Sequence, residues 1–160
     1  MNKILSITQA ITYSKKLHAQ NKRIVLVGGC FDILHLGHVI FLQKAKAKGD
    51  ILFVWIESDQ TIKHHKGNSR PIHTQKDRAY VISALACVDT VVLLPCFSSD
   101  SEYDSLVKKL KPAIIAATKG DADIMHKKRA AKTVGAVMVY VTGRIPQQST
   151  SRLAELVARE

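Results

Sequence analysis

Residues 23–38 read RIVLVGGCFDILHLGH, and this stretch decides the fold class. The apolar run at 23–29 predicts a β-strand, and the apolar spacing over 37–48 predicts the helix that follows it. Gly28 and Gly29 end the strand without side chains, so that a phosphate or a ribose can approach the backbone closely. A Gly-Gly pair is also common in ordinary turns, but this one stands beside residues with phosphate chemistry. The step from strand to helix is therefore a candidate anion-binding turn.

Two histidines and a third glycine stand where the helix is expected to begin. Gly37 falls in its first turn, where free N–H groups and the positive end of the helix dipole favour an anion. His35 and His38 are three residues apart, so their rings lie near each other and suit a phosphate that gains negative charge in a transition state. Zinc binding is the alternative for a histidine pair. No third ligand is close in the sequence, and the pair His64–His65 has no matching cysteine, so we expect no metal site.

Four further β-branched runs continue the pattern, at 51–57, 90–95, 113–118 and 136–142. They are nearly continuous rather than alternating, as is typical of strands covered on both faces. Helical patterns accompany them at 37–48, 75–87, 101–110, 122–134 and 150–159. This alternation predicts an α/β fold, a single doubly wound, Rossmann-like domain over 1–160 with a five-stranded parallel sheet. An amphipathic pattern over 1–21 predicts an N-terminal helix before a core of 22–160.

The composition is typical of a globular protein of the cytoplasm. Of the 160 residues, 46% are hydrophobic and 23% are charged. No apolar run is long enough to span a bilayer, and residues 1–20 lack the apolar centre of a signal peptide. The three cysteines are an odd number without metal-ligand spacing, which argues for a reducing compartment and against a disulfide framework. We therefore expect a cytoplasmic protein without a membrane partner.

The net charge of +11 allows a nucleic-acid partner, a site for small polyanions, or a generally basic proteome. The lysines are spread over several predicted helices rather than concentrated in one block. With only four Phe and four Tyr, the chain has no aromatic-rich strand of the kind that binds RNA. We expect small polyanions rather than nucleic acid as ligands.

Unusual polar segments follow three of the other predicted strands. Residues 57–59 (Glu-Ser-Asp) follow the second strand, residues 118–121 (Thr-Lys-Gly-Asp) the fourth, and residues 142–143 (Thr-Gly) the fifth. In a doubly wound sheet, ligands bind outside the carboxyl ends of the strands. The three segments are therefore expected to lie around the opening stretch.

The segment GGCFDILHLGH resembles the GxFDxxHxGH signature of the nucleotidyltransferase superfamily, the cytidylyltransferase-like enzymes. Four other segments resemble segments of the family in the same order. SDQTIKHHKGNSRP resembles its lysine-bearing loop, and DRAYVISALACVDTVV resembles the helix and strand that follow. TKGDAD resembles its Gly-Asp segment, and QQSTSRLAELV resembles the start of its Ser-Thr helix. The similarity covers essentially the whole chain. Within the superfamily it is greatest to the adenylyltransferases of the ADP-heptose pathway.

The resemblance implies the nucleotidyltransferase fold and roles for individual residues. His35 and His38 would contact the triphosphate and stabilise the transition state, while Lys63 and Lys66 would neutralise phosphates from a mobile loop. The implied nucleotide-binding positions are Gly28, Gly29, Cys30, Phe31, Gly37, Arg70, Gly120, Asp121, Ser149 and Thr150. The implied acceptor-side positions are Asp32 and Glu57. For Asp32, facing the acceptor, ordering the lysine loop and capping a helix all stay open.

The resemblance also implies a reaction. A phosphate oxygen of the acceptor attacks the α-phosphorus of a nucleoside triphosphate in line, and pyrophosphate leaves, with Mg²⁺ accompanying the nucleotide. We expect AMP transfer from ATP to a sugar phosphate such as heptose 1-phosphate, by a homodimer. The alternatives are CTP-dependent transfer to glycerol 3-phosphate, transfer of AMP to FMN as in FAD synthetases, and a nucleotide-binding regulator without turnover.

Three segments depart from the heptose branch. Residues 27–29 read Val-Gly-Gly where that branch usually has Thr-Asn-Gly, and Glu57 stands where it has Asn. Residues 118–122 read Thr-Lys-Gly-Asp-Ala where it has Lys-Gly-Gly-Asp-Tyr. All three departures fall near the expected acceptor and base pockets rather than the triphosphate-binding turn. They leave nucleotidyl transfer intact and the identities of the base and the acceptor open.

Overall fold

The computed structural model describes residues 3–143, which form one parallel sheet of six strands with helices on both faces. The strands are β1 Ile4–Leu5, β2 Ile24–Gly29, β3 Ile51–Ile56, β4 Thr90–Leu93, β5 Ile114–Thr118 and β6 Val137–Thr142. The helices are α1 Ile7–Ala19, α2 Leu36–Lys46, α3 Asp59–Lys66, α4 Gln75–Ser83, α5 Asp100–Leu110 and α6 Ile124–Val134. The predicted α/β class and the parallel sheet are confirmed.

The strand order β1-β4-β3-β2-β5-β6 places the long strands β2 and β3 at the centre. On one face, Phe41 and Leu42 of α2 and Ile82 of α4 are buried against the sheet. On the other face, the buried side chains of α1, α5 and α6 form a second apolar cluster. Both faces of the central strands are covered, which is why their sequences are continuously apolar.

The sheet has six strands rather than the predicted five, because Ile4–Leu5 forms a short edge strand. It pairs in parallel with β4, with Ile4 opposite Val91 and Leu5 opposite Val92. The N-terminal helix consequently begins at Ile7 instead of covering 1–21. Ser6 accepts a hydrogen bond from the Gln9 amide, and the Gln9 side chain accepts one from the Ser6 amide, so a capping box separates strand from helix. Two residues are too few to show a strand period in the sequence.

The lysine-bearing segment, predicted as a mobile loop, contains the helix α3. Ser58 begins it by accepting a hydrogen bond from the Thr61 amide at 3.0 Å. The residues of α3 that are buried are Thr61 and Ile62. With so narrow an apolar face, the run of lysines and histidines hides the helical period. The predicted helix at 150–159 lies outside the described residues.

The central strand β2 lies between β3 and β5. The chain leaves β2 through α2 on one face and enters β5 from α5 on the other, which creates a crevice at the carboxyl end of β2. The GGCFDILHLGH segment lies at that end. None of the helices in the described part of the chain combines the length and apolarity needed to cross a bilayer.

Candidate active site

The two histidines lie stacked at the start of α2. Their ring centroids are 3.8 Å apart with an angle of 24° between planes, and Phe31 packs against His38 at 5.1 Å. His35 is the N-cap residue, and its side chain makes no capping hydrogen bond. The Nδ1 atoms of His35 and His38 are buried and have no hydrogen-bond partner within residues 3–143. Two buried ring nitrogens at a helix N-terminus therefore remain available to a ligand.

Burial, the adjacent His35 ring and the charge of Lys66 lower the pKa of His38 to about 4, against the opposing effect of a hydrogen bond with the Ile33 backbone. Burial also lowers the pKa of His35. Both rings are therefore neutral at pH 7 in the free protein. A neutral imidazole can donate one hydrogen bond to a phosphate oxygen, and the negative charge of a phosphate favours its protonation.

A steric requirement explains the glycine at position 29, in addition to the predicted close approach of a phosphate or ribose. A methyl group at Gly29 would lie 3.0 Å from the Phe31 ring, whereas one at Gly28 would make ordinary contact with Trp55 at 3.8 Å. Phe31 itself is buried with a backbone φ of 46°, in the left-handed region. The space beside Gly29 is thus filled by the Phe31 ring, which in turn packs against His38. Gly29 contributes to the position of the histidine pair.

Asp32 orders the segment that follows the lysine-bearing helix. It is 3% exposed, and its Oδ2 accepts a hydrogen bond from Arg70 Nε at 2.6 Å. Its Oδ1 accepts hydrogen bonds from the amides of Ile72 at 2.8 Å and His73 at 3.1 Å. Of the three roles left open for Asp32, this geometry corresponds to ordering the segment. Arg70 has the same function, since its side chain binds Asp32.

Replacing Asp32 with asparagine is expected to lower the free energy of unfolding by about 1–3 kcal/mol at pH 7, because the amide turns a donor toward Arg70. Burial tends to raise the pKa of Asp32, but hydrogen bonds from His73 and Arg70 hold it below its usual value of 3.8. The unfolded chain therefore binds the proton first on acidification. The difference between wild type and variant should persist above pH 3.8 and shrink below it.

Urea unfolding of both proteins between pH 7 and pH 3 measures this difference. Asp104→Asn is the control, because its carboxylate pairs with the exposed Arg129 and should cost less than about 1 kcal/mol. Equal losses for the two variants would contradict the ordering role of Asp32.

Arg78 is the functional residue that the sequence did not indicate. It is 1% exposed and donates to four oxygens: the carbonyls of Cys30, Glu57 (2.7 Å) and His73 (3.1 Å), and Oδ1 of Asp59 (2.8 Å). One guanidinium thus joins the ends of β2 and β3, the start of α3 and the segment before α4. The sequence feature that could have indicated its burial is its position directly before Ala79 and one turn before Ile82, which are both buried in α4. The charged group of an arginine at such a position is usually solvated, so the apolar pattern alone does not indicate that Arg78 is buried.

Glu57 follows β3 and lies next to the glycine turn, since its amide donates to the carbonyl of Gly29 at 3.2 Å. Its Oε2 accepts a hydrogen bond from the Tyr103 hydroxyl of α5 at 2.8 Å. Burial and the neighbouring Asp123 raise the pKa of Glu57, against the hydrogen bond from Tyr103 and the charges of His65 and Arg78. Burial and Glu57 together raise the pKa of Tyr103, so the phenol remains protonated.

The two lysines lie on α3 rather than on a loop, which corrects that prediction. Lys66 faces the turn, because its charge lowers the pKa of both His38 and the Cys30 thiol. Burial nevertheless leaves the Cys30 pKa raised, so this thiol is not an activated nucleophile. Lys63 is exposed on the same helix.

The Gly-Asp segment after β5 is engaged in local structure. Asp121 accepts hydrogen bonds from Lys127 Nζ at 2.6 Å and from the Asp123 amide at 2.9 Å. Gly120 has a φ of 82°, so it holds a turn that other residues rarely adopt. The structure brings together the residues that follow β2 and β3. The Asp121 carboxylate, in contrast, forms its hydrogen bonds with nearby residues of the same segment and of α6. Ser149 and Thr150 lie outside the described residues.

A cavity of about 350 Å³ lies away from this site, between α1 and the start of β4. Its lining includes Lys3, Lys16 and Asp89. The candidate chemistry is at the opposite, carboxyl end of the strands, where histidines, a buried arginine and the glycine turn meet. The carboxyl end is therefore the site that we assign.

Paired imidazoles at a helix N-terminus, beside a glycine turn at the switch point of a doubly wound sheet, define a nucleotide-binding α/β protein. The chain belongs to the cytidylyltransferase-like family, whose model matches residues 26–154. Enzymes of this family are nucleotidyltransferases, which confirms the predicted family and enzyme class.

The curated relatives include proteins named bifunctional protein HldE. That of Helicobacter acinonychis (strain Sheeba) is 39% identical over 159 residues, which are 98% of this chain and 32% of that protein. That of a Nitratiruptor species is 53% identical over 102 residues, 64% of this chain and 21% of that protein. The chain thus spans a third or less of the length of these relatives.

Two solved structures are similar. The lipopolysaccharide core biosynthesis protein from Thermoplasma volcanium GSS1 is 29% identical with a TM-score of 0.60, over 80% of this chain and 99% of that chain. The pantoate-beta-alanine ligase from Francisella tularensis is 16% identical with a TM-score of 0.63, over 91% of this chain and 69% of that chain. The second similarity concerns the fold alone.

Proposed function

We propose that this protein transfers AMP from ATP to a phosphate oxygen of a sugar phosphate and releases pyrophosphate. The observation that carries the proposal is the stacked pair His35–His38, with two buried, unpartnered ring nitrogens at the N-terminus of α2 among the described residues. The similarity to the adenylyltransferases of the ADP-heptose pathway supports ATP and a heptose phosphate as the substrates. The relative named as a lipopolysaccharide core biosynthesis protein supports a sugar acceptor.

In the proposed reaction, an oxygen of the acceptor phosphate forms a bond to the α-phosphorus, and the bond from that phosphorus to the β-phosphate oxygen breaks. The electron pair of the broken bond leaves with pyrophosphate. His35 and His38 donate hydrogen bonds to phosphate oxygens whose negative charge grows in the transition state, and Lys66 supplies positive charge beside them. The rigid turn through Gly29 and Phe31 holds the rings in place before the substrate arrives.

Magnesium accompanies nucleoside triphosphates in this kind of reaction. Within residues 3–143, no group of three or more His, Cys, Asp or Glu side chains is arranged to hold a metal ion. A Mg²⁺ ion that arrives with the nucleotide would be held mainly by the phosphate oxygens of the substrate, where it neutralises their charge. No step assigned to the protein side chains depends on it.

The deciding experiment measures pyrophosphate release from ATP, CTP, GTP and UTP, each with heptose 1-phosphate, glycerol 3-phosphate or FMN. We expect release with ATP and the heptose phosphate. Pyrophosphate release only from CTP with glycerol 3-phosphate would show that the base and the acceptor are wrong, while nucleotidyl transfer itself would stand. Nucleotide binding without release from any pair would contradict enzymatic transfer and favour a regulator.

A cytoplasmic location and a homodimer belong to the same proposal. The nucleotide substrates and the three free cysteines, Cys30, Cys87 and Cys96, support the reducing cytoplasm. The homodimer rests on the family resemblance, and the molar mass measured by light scattering decides it.

A further inference from the structure

The carboxyl edge of the sheet has two regions of opposite charge. Lys66 ends α3, and its charge acts on His38 at the start of α2. Glu57 follows β3, and its amide donates a hydrogen bond to the carbonyl of Gly29. Both charges act on the Cys30 thiol in this turn: burial raises its pKa most, Lys66 lowers it and Glu57 raises it further. The two charges therefore both act on the turn that follows β2.

The carboxyl group of Glu57 is held in one orientation, but only one of its two oxygens accepts a hydrogen bond from the described part of the chain. Oε2 accepts the hydrogen bond from the Tyr103 hydroxyl, and the Arg78 guanidinium binds the backbone carbonyl of the same residue. Oε1 accepts no hydrogen bond from any side chain or amide in the part of the chain that the structure describes. A carboxylate has about four acceptor positions, so Glu57 retains capacity to accept a further hydrogen bond.

We propose that Glu57 accepts a hydrogen bond from a hydroxyl group of the acceptor and thereby selects acceptors with a neutral, hydroxylated body. This rests on the proposed function. A hydroxyl donates to a carboxylate, whereas a second phosphate or a carboxylate at the same position would be repelled. The acceptor phosphate is thereby directed toward Lys66 and the histidines, where the transfer takes place.

Tyr103 is the positioning residue for this contact. Its hydroxyl fixes the rotation of the Glu57 carboxyl, and Phe97 packs on its ring at 4.7 Å between centroids. Removing the hydroxyl leaves the carboxyl in place but free to turn. The effect of Tyr103→Phe should therefore fall on the KM for the acceptor, while the KM for ATP stays unchanged.

The test compares kcat/KM for heptose 1-phosphate, for its monodeoxy analogues and for a heptose bisphosphate, in wild type, Glu57→Gln and Glu57→Ala. In wild type, one monodeoxy analogue should lose about 10- to 100-fold, because the carboxyl then lacks its partner. Glu57→Ala should turn over that analogue and the parent equally. Glu57→Gln should keep part of the preference for the hydroxyl and accept the bisphosphate better than wild type does.

Tyr80→Phe is the matched control for Tyr103→Phe, because Tyr80 is 73% exposed on α4. The inference is overturned if wild type has the same kcat/KM for every monodeoxy analogue as for the parent. It is also overturned if Glu57→Ala discriminates against the analogue as strongly as wild type does. If wild type releases no pyrophosphate at all, the proposed function fails instead. The same proteins are then compared by calorimetric titration with heptose 1-phosphate, and equal affinity in wild type and Glu57→Ala overturns the inference.

Discussion

Replacing His38 with alanine is expected to lower kcat for pyrophosphate release by about 100- to 1,000-fold, the usual cost of removing one hydrogen-bond donor from a developing phosphate charge. The buried Nδ1 atom of His38 has no partner among the described residues, and its ring is held between His35 and Phe31. Packing thus holds the ring in one orientation and leaves a buried nitrogen available to a ligand. The loss should fall mainly on kcat, because the hydrogen bond strengthens as the transition state forms.

The control is His64→Ala. His64 is exposed on α3 and stacks edge-on with its neighbour His65. This variant removes the same atoms away from the turn and should keep the wild-type rate. Circular dichroism should show both variants folded, with the His38 variant less stable by on the order of 1 kcal/mol. A folded His38→Ala protein with wild-type turnover would refute the assignment of the site.

Replacing Arg78 with methionine is expected to lower the free energy of unfolding by about 3–5 kcal/mol, because buried carbonyls lose a strong donor and Asp59 loses its counter-charge. Arg78 binds the carbonyls of Cys30, Glu57 and His73, so three chain segments lose their connection at once. A domain of this size is stable by only about 5–15 kcal/mol. The loss is therefore a large part of its total stability.

Urea unfolding monitored by circular dichroism measures the effect. Arg129→Met is the matched control, since Arg129 binds Asp100 and Asp104 at the surface, where solvent screens the ion pairs, and its loss should change stability far less. Arg78→Lys tests the mechanism, because it keeps the charge but cannot form the planar fork to several carbonyls, and its loss should be intermediate. An Arg78→Met protein as stable as the Arg129 variant would exclude the connecting role.

The main elements could be predicted because each carries its own periodic signal. The strands predicted at 23–29, 51–57 and 113–118 are nearly continuously apolar, and both faces of the sheet are covered. The edge strand Ile4–Leu5 is too short to show a period and depends on pairing with β4. The loop predicted for Lys63 and Lys66 was implied by the family resemblance, and the helix Asp59–Lys66 has a buried face of only two residues that could have corrected it.

The candidate site was predictable where its chemistry is local in the chain. Gly29, His35 and His38 are close in the sequence, and a strand-to-helix turn brings them together without help from distant segments. Glu57 was indicated by its place after a buried strand. Its hydrogen bond to Tyr103 of α5 could not be predicted, because it joins residues 46 positions apart.

The sequence by itself determined the α/β class, the parallel sheet, the family and the turn that carries the histidine pair, because hydrophobic period and short-range motifs are local properties. The tertiary structure alone decided that Arg78 is buried, that Asp32 binds Arg70, and that Asp121 is engaged by Lys127. These contacts depend on which long polar side chains meet an unpaired carbonyl or charge after the strands have assembled. Residue type and spacing do not specify these contacts, because an arginine or lysine on a helix is more often solvated.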